Sequence, residues 1–187
     1  GGPDSMALVH LLNNWIKLNG GSLQALIVDH QFREESNKEA KIVKKNLLSK
    51  NINKKLIVLK KNDTTKKTML EAREKRFEKL ISYCQRNNIL HLFIAHHYDD
   101  NLETYLLRKI AGSNFEGLRS MQIKTFFKKI QILRPLLIYY KKDILNYNKL
   151  KDIFFVTDPS NKNLKYSRSV IREFLSENPS YATSPSL

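Results

Sequence analysis

Apolar positions along this chain switch repeatedly between a period of about 3.6 residues and short unbroken runs, the alternation expected of helices that follow strands. Leu8, Leu11, Leu12, Trp15 and Ile16 predict a helix over 6–18, which the Asn19-Gly20-Gly21 cluster ends. A mostly apolar strand over 23–28 follows, with Asp29 and His30 at its C-terminal end. Ala40, Val43, Leu47 and Leu48 predict a helix over 34–50, and 56–59 is another compact strand. Residues 60–68 are polar and lysine-rich and are read as a solvated loop, followed by a long helix over 69–88. A strand over 90–95 ends in His96-His97-Tyr98-Asp99-Asp100, where a helix begins and runs to Ala111 before Gly112 stops it. Strands over 121–127 and 129–133, a helix over 142–151, a short strand over 153–156 and a helix over 167–176 complete the pattern.

Strands and helices alternating at this spacing predict an α/β fold, a doubly wound parallel sheet with helices on both faces. No strand precedes Gly1, so the first strand of such a sheet is expected to be missing from the chain. Ligands bind such sheets beyond the carboxyl ends of the strands. Three polar clusters fall there: Gly1 to Ser5, Asp29-His30, and the group from His96 to Glu103.

The length of 187 residues suits one domain, expected over 1–177 with an aperiodic tail over 178–187. The single cysteine, Cys84, lies on an apolar helix face with Leu80 and Ile81 and reads as core. It has no partner for an internal disulfide, and there is no run of about 18 apolar residues. Both features favour a soluble protein in a reducing compartment, bacterial cytoplasm or organelle matrix or stroma, with no membrane partner. The net charge of +15 favours an acidic partner such as nucleic acid, or else scattered lysines that coat the surface.

Gly1-Gly2-Pro3-Asp4-Ser5 runs directly into a helix, which places its backbone amides where phosphate binds. Two glycines admit close approach of an anion, Asp4 suits Mg2+ on the phosphates, and Ser5 can cap the helix or meet a phosphate oxygen. Plain turn and capping chemistry is the competing reading. Asp100 and Glu103, spaced i, i+3, form an acidic pair suited to an ammonium group or a divalent metal. Helix capping by Asp99 and Asp100, or metal ligation by His96 and His97, are the alternatives. Arg73 and Arg76 lie on the preceding helix, either as surface charges or as contacts to developing negative charge. The Walker loop, the serine-hydrolase elbow and the Cys-x-x-Cys pair are all absent from the sequence.

In order, Gly1-Gly2-x-Asp4-Ser5, Val28-Asp29-His30 with Arg33 and Ser36, Ala72-Arg73-Glu74 with Arg76-Phe77, and Ala95-His96-His97-x-Asp99-Asp100-x-x-Glu103-Thr104 are joined by Gly117-Leu118 with Met121, Arg134-Pro135-Leu136-Leu137, Asp158-Pro159-Ser160-Asn161 and Ile171-Arg172. This ordered set resembles the tRNA(Ile)-lysidine synthetase family, a branch of the PP-loop ATP pyrophosphatases. The resemblance implies a ligase that uses ATP to adenylate C2 of the wobble cytidine in the CAU anticodon of an isoleucine tRNA. Free L-lysine then displaces AMP to form lysidine. It further implies ATP binding by Gly1, Gly2, Pro3, Asp4, Ser5, Val28, Asp29 and His30, with Mg2+ near Asp4. Asp4 and Arg76 are then expected to be catalytic, and Asp100 with Glu103 to bind lysine. The family's C-terminal tRNA-binding parts are expected to be missing, and a homodimer stays open. An inactive remnant serving at most as a basic RNA-binding module is one alternative, and another PP-loop enzyme acting on tRNA is a second.

Overall fold

In the computed structural model, residues 1–29, 35–59, 69–114, 116–157 and 167–178 are described. Helix α1 (Pro3–Asn19) starts on Pro3, whose fixed φ and missing amide suit a first helical turn. It ends at Gly20 and Gly21, whose φ values of 79° and 110° favour glycine. Strand β1 (Gln24–Asp29), helix α2 (Glu35–Ser49) and strand β2 (Asn53–Val58) follow. Strand β2 begins three residues earlier than its apolar run. Backbone pairing, with Gln24 opposite Asn53 through Asp29 opposite Val58, extends it into polar residues that the apolar pattern does not mark.

Helix α3 (Met69–Arg86) leads to strand β3 (His91–Phe93) and helix α4 (Tyr98–Ile110). Strands β4 (Lys124–Phe127) and β5 (Ile130–Leu133) form a hairpin whose two turn residues, Lys128 and Lys129, have φ of 46° and 67°. Positive φ at both positions is the turn geometry that matches the twist of a hairpin. A 3₁₀ turn over Pro135–Ile138, helix α5 (Lys141–Leu150) and helix α6 (Ser167–Glu177) complete the described elements.

Among the described residues the strands form two sheets. One is β1-β2, parallel, and the other has the order β3-β5-β4, with β3 parallel and β4 antiparallel to β5. The expected parallel pairing holds for β1-β2 and β3-β5, and β4 departs from it because a two-residue turn returns the chain antiparallel. The strand expected over 153–156 is not formed. Val156 donates one backbone hydrogen bond to the Gly1 carbonyl at 2.8 Å, while Ile153 is buried in the core.

Both faces of β1 are covered. Ala25 and Ile27 pack with Met6 of α1 and Ala40, Val43 and Leu47 of α2. Leu26 and Val28 pack on the opposite side against Leu80, Ile81 and Cys84 of α3 and Leu92 of β3. Cys84 therefore belongs to the core, and burial raises its pKa. A third cluster joins Ala7 and Leu8 of α1 to Leu136 and to Ile144 of α5. The periodic face of α1 is buried only in its first half, since Leu11, Trp15 and Leu18 remain exposed. No helix among the described residues is long and apolar enough to cross a membrane. His30, Arg33, residues 60–68, 158–161 and the tail beyond 178 lie outside the described residues.

Candidate active site

Helices α1, α4 and α5 begin beside one another at the rim of the sheet. His97, the residue before α4, brings its Nε2 to 3.9 Å from Asp4 Oδ1 on α1. The Lys141 amide at the start of α5 donates to Asp99 Oδ2 at 2.8 Å, and the Tyr98 amide donates to the Tyr139 carbonyl at 2.9 Å. Three helix N-termini, each with partial positive charge from unpaired amides, are thus tied to one another by these contacts. The acidic residues in their first turns, Asp4, Asp99, Asp100 and Asp143, are the charge that such ends favour.

At the phosphate-loop candidate, Ser5 Oγ donates to the Gly2 carbonyl at 2.9 Å, and Gly2 caps α1 without any side-chain hydrogen bond. The two glycines do different work. A Cβ on Gly1 would stand 2.4 Å from Val43 Cγ2, whereas a Cβ on Gly2 meets nothing within 4 Å. Gly1 therefore lets α2 pack against the loop, and Gly2 opens on free space at a helix start. A cavity of about 2310 Å³ lies beyond it. That volume exceeds an ordinary small-ligand site of roughly 300–1000 Å³. It includes the space between β1 and β3, whose residues line it from both sides.

The structure brings Gly1 to Ser5, Val28, Asp29, Arg76 and Asp100 to the lining of this one cavity. Asp29 is buried at the end of β1, and its Oδ1 accepts the Ser36 hydroxyl at 2.7 Å. The Val28 side chain packs into the core, leaving its backbone and Asp29 at the rim. Glu103 is placed differently. It is 1 % exposed, away from the cavity lining, with Arg172 Nε donating to Oε1 at 2.5 Å and Nη2 to Oε2 at 3.2 Å. Asp100 does serve as a helix cap, accepting the His97 amide at 3.1 Å, and its carboxylate also lies 4.0 Å from Arg172 Nη2.

Electrostatics divide the site into two halves. Near α1, burial alone would lower the His97 pKa, but Asp99, Asp100 and Asp4 outweigh it and the net shift is upward. Burial alone would raise that of Asp99, yet His97 and the Lys141 amide hold it below the usual carboxylate range. Across the cavity, Arg73 Nη2 donates to His96 Nε2 at 3.1 Å. Burial, with Arg73, Arg134 and Arg76 nearby outweighing the pull of Asp100, lowers the His96 pKa to about 4, so this imidazole is neutral at pH 7. Arg76 is reached by solvent but crowded by protein, and burial followed by the Arg73 charge lowers its pKa.

The two histidines do not make a zinc-type site: His96 faces a guanidinium, and His97 faces carboxylates that cap and join helices. Among the described residues, no group of three or more His, Cys, Asp or Glu side chains is arranged to hold a metal ion. Mg2+ asks for less, since it takes one or two carboxylates with waters and substrate phosphates supplying the rest. Asp4, one quarter exposed at the mouth of the open space before Gly2, fits that donor set. Lys141, whose Nζ lies 2.5 Å from Asp4 Oδ1, carries no sequence signal of its own, being one of 33 lysines and arginines. Arg172 belongs to the Ile171-Arg172 motif, but nothing in the sequence marks Glu103, 69 residues away, as its partner.

A PP-loop domain matches residues 1–178. Among curated proteins, the chain is similar to the tRNA(Ile)-lysidine synthase of Wolbachia pipientis wMel, 41% identical over 94% of this chain and 41% of that protein. Those of Orientia tsutsugamushi and Rickettsia conorii are each 35% identical, over 94% and 97% of this chain. The chain spans about two fifths of the length of these relatives. Among solved structures, a U34-tRNA thiolase, NcsA from Methanococcus maripaludis, matches with a TM-score of 0.79 at 19% identity, over 97% of this chain and 66% of that one. That likeness concerns the fold, an α/β arrangement of the PP-loop type.

Proposed function

The chain belongs to the PP-loop domain family, and from that premise we propose that it is the ATP-using catalytic part of a tRNA-modifying ligase of lysidine-synthase type. The observation that carries this reading is the meeting of Gly1 to Ser5, Asp29, Arg76 and Asp100 on one cavity at the start of α1. A triphosphate placed before Gly2 gains the amides of a helix start, and even a Cβ added at Gly2 would meet no atom within 4 Å. Asp4 is the residue that would hold Mg2+, which when bound draws charge from the phosphates. Asp29 lines the nucleotide side, and His30 follows it in the sequence.

In this reading, the wobble cytidine of the CAU anticodon is adenylated at C2 with release of pyrophosphate, and the amine of L-lysine then displaces AMP. Arg76 faces the cavity with a guanidinium suited to the negative charge that develops on a transferring phosphoryl group. Asp100 is a carboxylate that faces the same space from the start of α4, and it receives the lysine ammonium. Glu103 supports that ammonium through Arg172, with which it and Asp100 form one charged group. The basic balance of +15 suits a tRNA partner. Cys84 borders the cavity but is 1 % exposed, and burial raises its pKa, which disfavours the thiolate that a sulfur-transfer reading needs.

The test is conversion of ATP to AMP and pyrophosphate by the full-length protein, with labelled lysine entering tRNA(Ile). AMP formation that needs both lysine and the tRNA is expected. A protein that binds tRNA but forms no AMP with both present would instead be a basic RNA-binding module.

A further inference from the structure

Lys141 is the first residue of α5, a position where a helix favours negative charge. Its backbone amide is fixed by Asp99 Oδ2 at 2.8 Å, and its side chain reaches across 137 positions of sequence to Asp4 Oδ1 at 2.5 Å. The same oxygen lies 3.9 Å from His97 Nε2, so one carboxylate oxygen faces two groups able to carry positive charge. Lys141 is one third exposed and Asp4 one quarter exposed, so the pair is open to water. That separates it from the Glu103 pair, whose carboxylate is 2 % exposed and held by two guanidinium nitrogens.

A divalent ion binding Asp4 through this oxygen sits at about 2.1 Å and needs the space and the lone pair that the ammonium uses. Free metal therefore has to displace that ammonium, with Asp99 and Asp100 nearby but already accepting the Lys141 and His97 amides. A metal that arrives with a triphosphate brings anionic oxygens of its own, beside the N-terminus of α1 and within reach of Lys141. We propose that Lys141 is an internal counter-cation that competes with divalent metal for Asp4, so that metal enters this site with the nucleotide and not ahead of it. The proposal rests on the reading of Asp4 as the metal-side carboxylate of an ATP site, and it adds Lys141 as a positioning residue that sets the order of binding.

The experiment measures Mn2+ binding to the full-length protein by electron paramagnetic resonance, with and without a non-hydrolysable ATP analogue. Lys141→Met, which keeps the aliphatic stem, is expected to bind Mn2+ alone about tenfold more tightly than wild type, and Lys141→Arg to stay near wild type. Asp4→Asn in the Lys141→Met background is expected to remove the gain. Unchanged or weaker binding of Mn2+ alone by Lys141→Met overturns the proposal. Failure of wild type to bind Mn2+ even with the analogue defeats the ATP-site reading instead, so the two failures are distinguishable. Reductive methylation of wild type, read at Lys141 by mass spectrometry, gives an answer that does not depend on how the variant folds. The amine is expected to react faster once Mn2+ alone is saturating, and no change at saturation overturns the proposal.

Discussion

Arg172 of α6 grips Glu103 of α4 with both ends of its guanidinium, Nε at 2.5 Å from Oε1 and Nη2 at 3.2 Å from Oε2. The two residues stand 69 positions apart, and the carboxylate is 2 % exposed. A forked contact of this kind fixes orientation as well as charge. It joins α6 to the site, because the same arginine lies 4.0 Å from Asp100. Each carboxylate reinforces the guanidinium charge, and the Arg172 pKa is raised although burial alone would lower it.

Removing the arginine leaves a carboxylate in the interior without its main cation, which is the costly half of a buried pair. Arg172→Met is expected to destabilise the fold by about 2–3 kcal/mol in urea unfolding, less than for a fully enclosed pair because Arg172 is 44 % exposed. Glu103→Gln combined with Arg172→Met is expected to lose less than the sum of the single changes. Additive losses would mean that the contact contributes nothing specific.

The adjacent glycines separate packing from binding. Gly1→Ala must push Val43 aside in a closely packed cluster, a strain of about 1–3 kcal/mol. Gly2→Ala meets no atom within 4 Å and has an ordinary φ of −71°, so stability is expected to be nearly unchanged. ATP binding is expected to respond in reverse, with Gly2→Ala weakening it about tenfold by filling the approach to the helix start. Calorimetric titration alongside thermal unfolding reads both effects, and equal behaviour of the two variants would contradict the division.

Periodicity made α1 to α6 legible because helices bury an apolar stripe, on a strand as Val43 and Leu47 of α2 do on Ala25 and Ile27, or on another helix as Ile144 of α5 does on Ala7 and Leu8 of α1. The rim followed from topology alone: strand ends had to bring Asp4, Asp29 and Asp100 together, and they do line one cavity. What stayed hidden was pairing at long range. Nothing in Lys141 distinguishes it from Lys142 beside it, and only the fold carries its amine to Asp4. The antiparallel β4 and the unformed strand over 153–156 failed to show for a related reason. Apolar runs mark burial, whereas hydrogen-bond partners decide whether a buried run becomes a strand and in which direction.

His96 and His97 are neighbours with opposite titration. In the unfolded chain both take up a proton near 6.5. Folded His96 waits until about pH 4, so between those values the unfolded state binds more protons and stability falls as pH drops. The loss is expected to reach about 2 kcal/mol after allowance for solvent screening. Folded His97 has a raised pKa, so its contribution is full below pH 6.5 and is lost as pH rises through the folded value. His96→Asn is expected to flatten the acid side of the stability profile, and His97→Asn the side above pH 6.5. Urea midpoints measured from pH 4.5 to pH 8 test both, and an acid limb that survives in His96→Asn would assign it to other groups.

Asp100 and Glu103 differ in what they face, and their substitution should separate lysine use from ATP binding. Asp100 lines the cavity with a carboxylate 17 % exposed, while Glu103 meets Arg172 behind it. Asp100→Asn removes the charge proposed to receive an ammonium and keeps nearly the same shape, including an oxygen that can accept the His97 amide. The KM for lysine is expected to rise tenfold or more, the cost of one charge-assisted contact of roughly 1.5–3 kcal/mol, with the Kd for ATP within twofold of wild type. Glu103→Gln leaves Arg172 less neutralised beside Asp100, which should weaken the same ammonium by repulsion, so a smaller rise in KM is expected from it. The order of the two effects is the sensitive point: a larger defect from Glu103→Gln would place the ammonium against the buried carboxylate, with Arg172 moved aside to admit it.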